Sequence, residues 1–284
     1  MNGQHEHRRV ALIGGVYNNY LALQAAIADA RRRGVDAIYC LGDLGAFGPH
    51  PDRVFPLLID HDVQCVQGNY DNSIGNELND CQCGYTDPRD NYFAQISYDY
   101  TQAHTSAEHR RYLRDLPTEI RFRLNERRVL LCHGSPRRTN EFVWESSSSN
   151  QFLRRLADEA EADIVCATHT GIKWQRTLPP LDESSKLTTS PPSNVTERAA
   201  RWINIGVLGR PENDGRTCVW YTLLEDVVGS PRTTFVPVEY DHCRLAGEMR
   251  AERLPEEFIT TIETGWWTTC LEILPSKERR RGPF

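Results

Sequence analysis

AIYCLGDLGAFGPHPDRV (37–54) joins a short apolar run to a glycine-rich loop that carries Asp43. The run AIYCLG (37–42) has the length and composition of a buried strand, and the glycines after it permit a tight turn. Four further runs of this kind are candidate strands: VALIGG (10–15), VQCVQG (63–68), RVLLCHG (128–134) and DIVCATH (163–169). Strands that alternate with helical stretches in this way predict βαβ units and an α/β fold.

Polar residues follow these candidate strands. From AIYCLG onward, every strand runs into a loop that contains Asp, Asn or His. In open α/β sheets the loops at the carboxyl ends of the strands converge on one crevice, where functional groups collect. The sequence therefore predicts a site at this edge of the sheet.

The second half of the chain has a different pattern. From residue 201 onward, short strands joined by turns, with Asn213-Asp214-Gly215 as a hairpin signal, predict a second and more antiparallel sheet. The stretch 178–198 is rich in Pro, Ser and Thr, which predicts a surface insertion or a flap over the site. We expect one domain over 8–245, and a C-terminal part (246–284), with a helix around 244–264, whose tail packs on the domain or on a partner.

The composition favours a protein of the cytoplasm. The 284 residues carry a formal net charge of −6, which gives no general attraction to nucleic acid or to anionic membranes. No apolar run approaches the roughly 18 residues of a membrane span, and the polar start lacks the apolar core of a signal peptide. We therefore expect no membrane attachment and no general nucleic-acid binding. Four cysteines lie inside apolar runs and are expected to be reduced core residues: Cys40, Cys65, Cys132 and Cys166.

Short motifs at the strand ends occur in a fixed order. From the N-terminus they are Gly42-Asp43-Leu44-Gly45, Gly68-Asn69-Tyr70-Asp71, His133-Gly134-Ser135-Pro136, Thr168-His169-Thr170-Gly171 and Asn204-Ile205-Gly206. This order resembles the calcineurin-like metallophosphoesterases, in particular their bacterial phosphodiesterase-like branch, over roughly residues 9 to 240. The resemblance implies a four-layer αββα sandwich of two mixed β-sheets flanked by helices.

The same resemblance implies a metal site. Asp43 matches the carboxylate that bridges two metals in the family, and Asn69, His133 and His169 match the remaining ligands of the second metal. Considered without the family, oxygen donors from Asp and Asn together with two imidazoles suit Mn²⁺, Fe²⁺ or Zn²⁺. We therefore expect a divalent transition metal on these four residues.

The chain departs from the family pattern at the first metal. Gly15-Val16-Tyr17-Asn18-Asn19 replaces the family's Asp-x-His-Gly-Asn, so a carboxylate and an imidazole are missing. Gly171 replaces a third ligand, a histidine. The first metal would keep only Asp43, and a divalent ion held by one carboxylate leaves nearly its whole coordination shell to water. We therefore expect one metal per chain.

Two features leave alternatives open for the lost ligands. Tyr17 stands where the missing histidine would be. It either fills the vacated volume or, as a phenolate, ligates a trivalent metal. Cys81 and Cys83 are close in sequence, and they are either ordinary loop thiols, ligands of a soft metal or a redox pair.

Candidate catalytic and substrate-binding residues surround the expected metal. Tyr70 replaces the histidine that assists the leaving group in the family, and a tyrosine, with a pKa near 10, is a weaker general acid at neutral pH. Asp71 is expected to orient Tyr70. Arg137 is expected to grip phosphate, or else to be a solvated loop residue. Tyr17 and Asn19 are also expected to contact the substrate.

Two functions compete. The leading hypothesis is a hydrolase of a small-molecule phosphate ester, a phosphatase or a phosphodiesterase, in which the metal polarises a phosphoryl oxygen and lowers the pKa of the attacking water. The alternative is a non-catalytic binding or regulatory protein that keeps the fold. The sequence specifies neither the ester nor the oligomeric state.

Overall fold

The computed structural model describes residues 6–180, 199–280 and 282. The strands are β1 (Glu6–His7), β2 (Arg9–Ile13), β3 (Ala37–Cys40), β4 (Gln64–Cys65), β5 (Glu119–Leu124), β6 (Arg127–Cys132), β7 (Ile164–Ala167), β8 (Lys173–Leu178), β9 (Ala200–Ile205), β10 (Val219–Val227) and β11 (Ser230–Val238). The helices are α1 (Tyr20–Arg32), α2 (Val54–Asp60), α3 (Asn69–Gly75), α4 (Pro88–His104), α5 (Ala107–Arg114), α6 (Asn150–Glu159), α7 (His242–Ala251) and α8 (Glu256–Thr264). Within these ranges no helix is long and apolar enough to cross a membrane. Of the insertion predicted at 178–198, residues 181–198 lie outside the described residues.

The strands form two mixed sheets. The first sheet has the order β11-β10-β2-β3-β4, and the second has the order β1-β5-β6-β7-β9-β8. Strands β2, β3 and β4 run parallel, as do β6, β7 and β9. The pairs β10–β11, β5–β6 and β8–β9 are antiparallel. The predicted α/β sandwich of two mixed sheets flanked by helices is therefore confirmed.

Buried apolar clusters separate the layers of the sandwich. Alternation along β2 shows the principle: Val10 and Leu12 pack between the two sheets, whereas Ala11 and Ile13 face the helices that cover the first sheet. Helix α6 covers the outer face of the second sheet and shares a third cluster with β6, β7 and β9. Because each sheet buries both of its faces, its central strands are continuously apolar.

Residues from 201 onward do not form a sheet of their own, so this prediction was wrong. Strand β9, which is buried on both faces, lies between β7 and β8, while β10 and β11 extend the first sheet beside β2. Asn213-Asp214-Gly215 is not a hairpin turn, because it links β9 to β10, which belong to different sheets. The β10–β11 turn is Val228-Gly229, whose φ angles of 53° and 79° suit a two-residue hairpin loop.

The C-terminal part contains two helices instead of the single helix predicted around 244–264. The break falls before Pro255, which has no backbone N–H to continue a helix and stands at the N-terminus of α8. Leu245, Met249 and Phe258 from these two helices join the cluster on the outer face of the first sheet. Trp267, in the tail, is buried as well.

The topology brings the strand-end loops together. The loops after the parallel strands β2, β3, β4, β6 and β7 leave the sheets at the same edge. Each of them carries one of the residues singled out from the sequence: Tyr17, Asp43, Asn69, His133 and His169. This edge is the location of the candidate site.

Candidate metal centre

Asp43 sits in a tight loop after β3 that has left-handed backbone at Gly42 and Asp43, with φ angles of 85° and 56°. The fully buried carboxylate of Asp71 holds this loop. It accepts hydrogen bonds from the backbone N–H groups of Asp43 (2.8 Å), Leu44 (2.9 Å) and Gly68 (2.8 Å). These bonds offset the cost of a backbone conformation that is uncommon for aspartate. Asp71 therefore fixes the direction in which the Asp43 carboxylate points.

His133 and His169 meet at this carboxylate. Nε2 of His133 lies 3.3 Å from Oδ2 of Asp43 and 3.1 Å from Nδ1 of His169. One ligand atom from each of the three side chains lies within 4.8 Å of the other two. Atoms that bind one metal at about 2.1 Å stand about 3 Å apart. The spacing of the two imidazoles and the carboxylate thus suits a shared cation.

The outer nitrogen of each imidazole already has a partner. His133 Nδ1 donates to the carbonyl oxygen of Leu41 at 2.7 Å, and His169 Nε2 donates to that of Cys83 at 3.3 Å. Because a carbonyl oxygen only accepts, these nitrogens carry the protons of the neutral rings, and the two facing nitrogens present lone pairs. Two lone pairs and a carboxylate repel one another unless a proton or a metal lies between them. Metal-binding histidines are oriented by the same kind of outer hydrogen bond.

The pKa values reflect this crowding. Burial, and then the charge of His133, lowers the pKa of His169 to about 3. Burial also disfavours a charged His133, but the Asp43 carboxylate outweighs burial and raises the pKa of His133. Burial alone would raise the pKa of Asp43, and the charge of His133 lowers it instead. Burial and the neighbouring charges thus disfavour a positive charge on His169, and a divalent cation would compete with any proton bound at these ligand atoms.

Asn69 is the fourth predicted ligand and begins α3 next to the cluster. The following residue, Tyr70, donates its backbone N–H to Asp43 Oδ1 at 3.1 Å. Asn69 Nδ2 donates to the carbonyl oxygen of Cys81 at 2.8 Å, whereas Asn69 Oδ1 is buried and has no hydrogen-bond partner among the described residues. A buried unpartnered acceptor costs about 1–3 kcal/mol, which a bound cation would recover. Asp43, His133 and His169 therefore fit one divalent transition metal, and Asn69 stands beside Tyr70 with an unpartnered acceptor oxygen.

Cys81 and Cys83 form a disulfide bond. The interpretations as free loop thiols or as soft-metal ligands were wrong, because both sulfur atoms are used in this bond. The segment supports the cluster through its backbone, since the two carbonyl oxygens accept from Asn69 and His169. The expectation of reduced, buried thiols is confirmed for the four core cysteines: Cys40, Cys65, Cys132 and Cys166.

Tyr17 lies where a first metal would need its ligands. Its backbone is left-handed, with φ of 51°, and its ring packs over Gly15, where an added Cβ would come within 2.6 Å of ring atom Cε1. Burial, with a smaller contribution from the Asp43 charge, raises the pKa of Tyr17. The phenol therefore keeps its proton at neutral pH, which favours a side chain that fills space over a phenolate ligand.

Asn19 is the N-cap of α1 and does not line the cavity described below. Its Oδ1 accepts from the N–H of Ala22 at 3.0 Å, and its Nδ2 donates to the carbonyl oxygen of Gly209 at 3.1 Å. Both polar ends of this fully buried side chain are thus used. Asn19 connects the loop after β2 to the loop after β9.

A narrow cavity with a volume of about 40 Å³ opens beside the cluster, and part of it is open to solvent. Asp43 and His169 line one side. Six aromatic side chains contribute to the remaining wall: Tyr17, Phe47, Tyr70, Tyr85, Phe93 and Phe258.

Tyr70 thus lies in the cavity, as predicted, but its surroundings differ from those expected. Its hydroxyl donates to the carbonyl oxygen of Ala94 at 3.2 Å, while Asp71 bonds to the Asp43 loop. Burial raises the pKa of Tyr70, so the hydroxyl stays protonated at neutral pH.

The arginine that reaches the cavity is not the one the sequence suggested. Arg137 is exposed and pairs with Glu141, so its charge is neutralised at the surface. Arg210 lines the cavity instead, and sequence reasoning missed it. Its position four residues after the Asn204-Ile205-Gly206 motif is the only sequence signal that points to it.

Comparison with known sequences identifies the family of this chain. The profile of the Calcineurin-like phosphoesterase superfamily domain matches residues 9–225. The uncharacterized protein MJ0912 of Methanocaldococcus jannaschii is 25% identical over 250 residues, which cover 87% of this chain and 94% of that protein.

Two solved structures have the same fold over nearly their whole length. The metallophosphoesterase from Sphaerobacter thermophilus is 25% identical, with a TM-score of 0.65, and the match covers 91% of this chain and 99% of that one. The hypothetical protein PH1004 from Pyrococcus horikoshii OT3 is 19% identical, with a TM-score of 0.69 and coverage of 93% and 100%. With its profile match, its fold and its ordered strand-end motifs, the chain belongs to the calcineurin-like phosphoesterase superfamily.

Proposed function

We propose that this protein hydrolyses a small-molecule phosphate ester with a single divalent transition metal, Mn²⁺, Fe²⁺ or Zn²⁺. The observation that carries the proposal is the convergence of unprotonated nitrogens from His133 and His169 on the Asp43 carboxylate, with the unpartnered Oδ1 of Asn69 nearby. Membership of a phosphoesterase superfamily supports the reaction class. A divalent metal in such a set acts as a Lewis acid, which polarises a phosphoryl oxygen and lowers the pKa of water.

The chain's own groups prepare the site for this chemistry. Asp71 holds the loop that carries the central carboxylate. The carbonyl oxygens of Leu41 and Cys83 set the direction of the two imidazoles. Tyr70, protonated and at the cavity wall, is positioned to donate a hydrogen bond to a substrate oxygen if it gives up its bond to Ala94.

A single metal is proposed because the first metal has lost its ligands and its space. Gly171 has no side chain that could bind a metal at the position of one missing family histidine. The neutral phenol of Tyr17 occupies the position of the other missing histidine. Among the described residues, the one group of three or more His, Cys, Asp or Glu side chains that fits a metal is Asp43 with His133 and His169.

Metal content and hydrolysis, measured on the same preparations, test the proposal. Metal per chain is determined by plasma mass spectrometry after loading, and hydrolysis is followed with p-nitrophenyl phosphate, a monoester, and bis(p-nitrophenyl) phosphate, a diester. We expect about one metal per chain, and we expect both metal and hydrolysis to be lost in His133→Ala. His104→Ala, which alters an exposed histidine bonded to a backbone carbonyl, is the matched control. Two metals per chain would contradict the single site, and activity that survives chelation would contradict metal dependence.

A binding protein without catalysis is the second candidate. It is favoured by Tyr70, which replaces the family's histidine and whose hydroxyl proton is engaged by a backbone carbonyl. Esters with a p-nitrophenol leaving group need little protonation, so they separate the two candidates. Metal-loaded protein that binds phosphate but turns over neither ester would select the binding protein.

A further inference from the structure

Arg210 is a buried arginine without an acidic partner. It is 6% exposed, and among the described residues no carboxylate pairs with it and no acceptor bonds to its Nε. The other deeply buried arginine, Arg154, pairs with Asp158 at 2.9 Å. An arginine remains charged in a protein, and a buried charge without a counter-charge is costly. An anionic ligand beside Arg210 would therefore stabilise its buried charge.

Aromatic rings hold the guanidinium by its face. Cζ of Arg210 lies 3.5 Å from the ring centroid of Trp267 and 5.9 Å from that of Tyr17. Trp267 is itself fixed, since its Nε1 donates to the carbonyl oxygen of Pro211 at 2.7 Å and its backbone N–H donates to Asn213 Oδ1 at 2.9 Å. Stacking uses the faces of the guanidinium and leaves its N–H groups free to donate in the plane.

Arg210 lies next to the place where the first metal lost its ligands. A Cβ added at Gly171, the position of one missing histidine, would stand 3.7 Å from Nη2 of Arg210. Tyr17, at the position of the other missing histidine, forms the neighbouring wall. The charge is also balanced. The lost site would have added a divalent cation and one carboxylate, a net single positive charge, and the guanidinium supplies the same charge.

We propose that Arg210 binds the phosphoryl group of the substrate in place of the lost first metal. This inference rests on the proposed function and deepens it by naming the group that meets the phosphate. The planar N–H pairs of a guanidinium match two oxygens of one phosphate, which a monoester or a diester both offer. Asp43, on the ligand side of the same cavity, places the metal within reach of the same phosphoryl group.

Inorganic phosphate is the probe, titrated by calorimetry into the metal-loaded full-length chain. Arg210→Gln removes the charge and is expected to weaken phosphate binding about tenfold to hundredfold, while Arg210→Lys keeps the charge without the planar fork and falls between. Arg216→Gln is the matched control. Arg216 also stacks on a tryptophan, Trp220, at 4.9 Å, but it pairs with Asp214 and is expected to leave phosphate affinity unchanged. Metal per chain is expected to stay at the parent level in every variant.

Parent-level phosphate affinity in Arg210→Gln, with metal retained, would overturn the inference. A loss of affinity in Arg137→Gln and none in Arg210→Gln would overturn it as well, because the phosphate would then bind at the surface arginine. If Arg210→Gln fails to fold, Arg210→Met takes its place, because it keeps an aliphatic stem that can pack on Trp267. Absence of phosphate binding by the metal-loaded parent protein would also contradict the inference. Phosphate binding through Arg210 without ester hydrolysis would remove the proposed function and leave the anion site standing. Ester hydrolysis by the parent protein, combined with a phosphate affinity that Arg210→Gln leaves unchanged, would support the proposed function and exclude the anion site at Arg210.

Discussion

The two sides of the cavity present opposite chemistry. On the ligand side, Asp43 and His169 line the cavity, and His133 and Asn69 lie behind them with further acceptor atoms. On the opposite side, aromatic rings enclose Arg210, which offers only donors. The ligand side requires a cation and the opposite side requires an anion, so a metal and a phosphate placed side by side satisfy both. Under the proposed function, Arg210 supplies positive charge beside Gly171, where the chain lacks a histidine of the family pattern.

Removal of a metal ligand is the strongest way to break this comparison. His169→Ala deletes one of the two imidazoles, and we expect the metal to be lost and kcat/KM for bis(p-nitrophenyl) phosphate to fall by at least about 10³-fold. Metal content and initial rates are the measurements. A His169→Ala protein that keeps one metal per chain and the parent rate would exclude His169 from the ligand set.

Substitution of Asp71, which supports a ligand but is not one, should reduce metal binding less than removal of a ligand does. Asp71→Asn replaces one acceptor of the carboxylate with a donor that faces the backbone N–H groups of the Asp43 loop. We expect metal affinity to weaken about 10- to 100-fold, measured by competition with a chromophoric chelator. Asp90→Asn is the control, because Asp90 is also buried and accepts a backbone N–H, from Ile273 at 2.9 Å, at a different place. Equal metal affinities in the two variants would remove Asp71 from the support of the site.

An attempt to restore the lost histidine sharpens the comparison. In Gly171→His the new side chain meets Trp267 at 3.3 Å and Arg210 at 3.7 Å from its Cβ. We expect no second metal and about tenfold weaker phosphate binding, because the imidazole displaces the guanidinium. Gly171→Ala controls for the strain of a non-glycine residue at φ of 75°. Two metals per chain in Gly171→His would show that the first site needs only one ligand to recover.

Asn19→Ala should have the smallest effect on the chemistry. It removes the α1 cap and the hydrogen bond to Gly209, the residue before Arg210, so we expect a loss of about 1–2 kcal/mol in unfolding free energy. Metal content should not change, while phosphate affinity should fall slightly because the Arg210 loop loosens. Ser149→Ala, which removes the cap of α6 far from the site, is the control in urea unfolding and phosphate titration. A drop in phosphate affinity in both variants would mean that general destabilisation, and not the Asn19–Gly209 link, is responsible.

The ligand side was predictable from the sequence because its residues follow local rules. Each of its residues comes directly after a short apolar strand, and parallel strands bring their ends together whatever the details of packing. The opposite side follows no such rule. Nothing in the sequence distinguishes Arg137 from Arg210. Only the structure shows that Glu141 neutralises the charge of Arg137, whereas no carboxylate among the described residues pairs with Arg210.

Strand pairing late in the chain could not be predicted for a related reason. The apolar run of β9 suits either a parallel or an antiparallel neighbour, and its place beside β7 depends on pairing with residues far away in sequence. The disulfide between Cys81 and Cys83 could not be singled out among the alternatives, because two thiols so close in sequence are compatible with several states. Local pattern located most of the strands, though not β1, β5 or β8, and long-range contacts determined which sheet each one joined.

Much of the wall around the guanidinium comes from a late part of the chain. The metal ligands lie between residues 43 and 169, whereas Arg210, Phe258, Trp267 and Cys270 come later, and the last three lie beyond the superfamily match that ends at residue 225. Mutations in the late segment can therefore reshape what the cavity admits while every ligand is inherited unchanged. Substitutions at Phe258, Trp267 or Cys270 are therefore expected to alter the surroundings of Arg210 without touching a metal ligand.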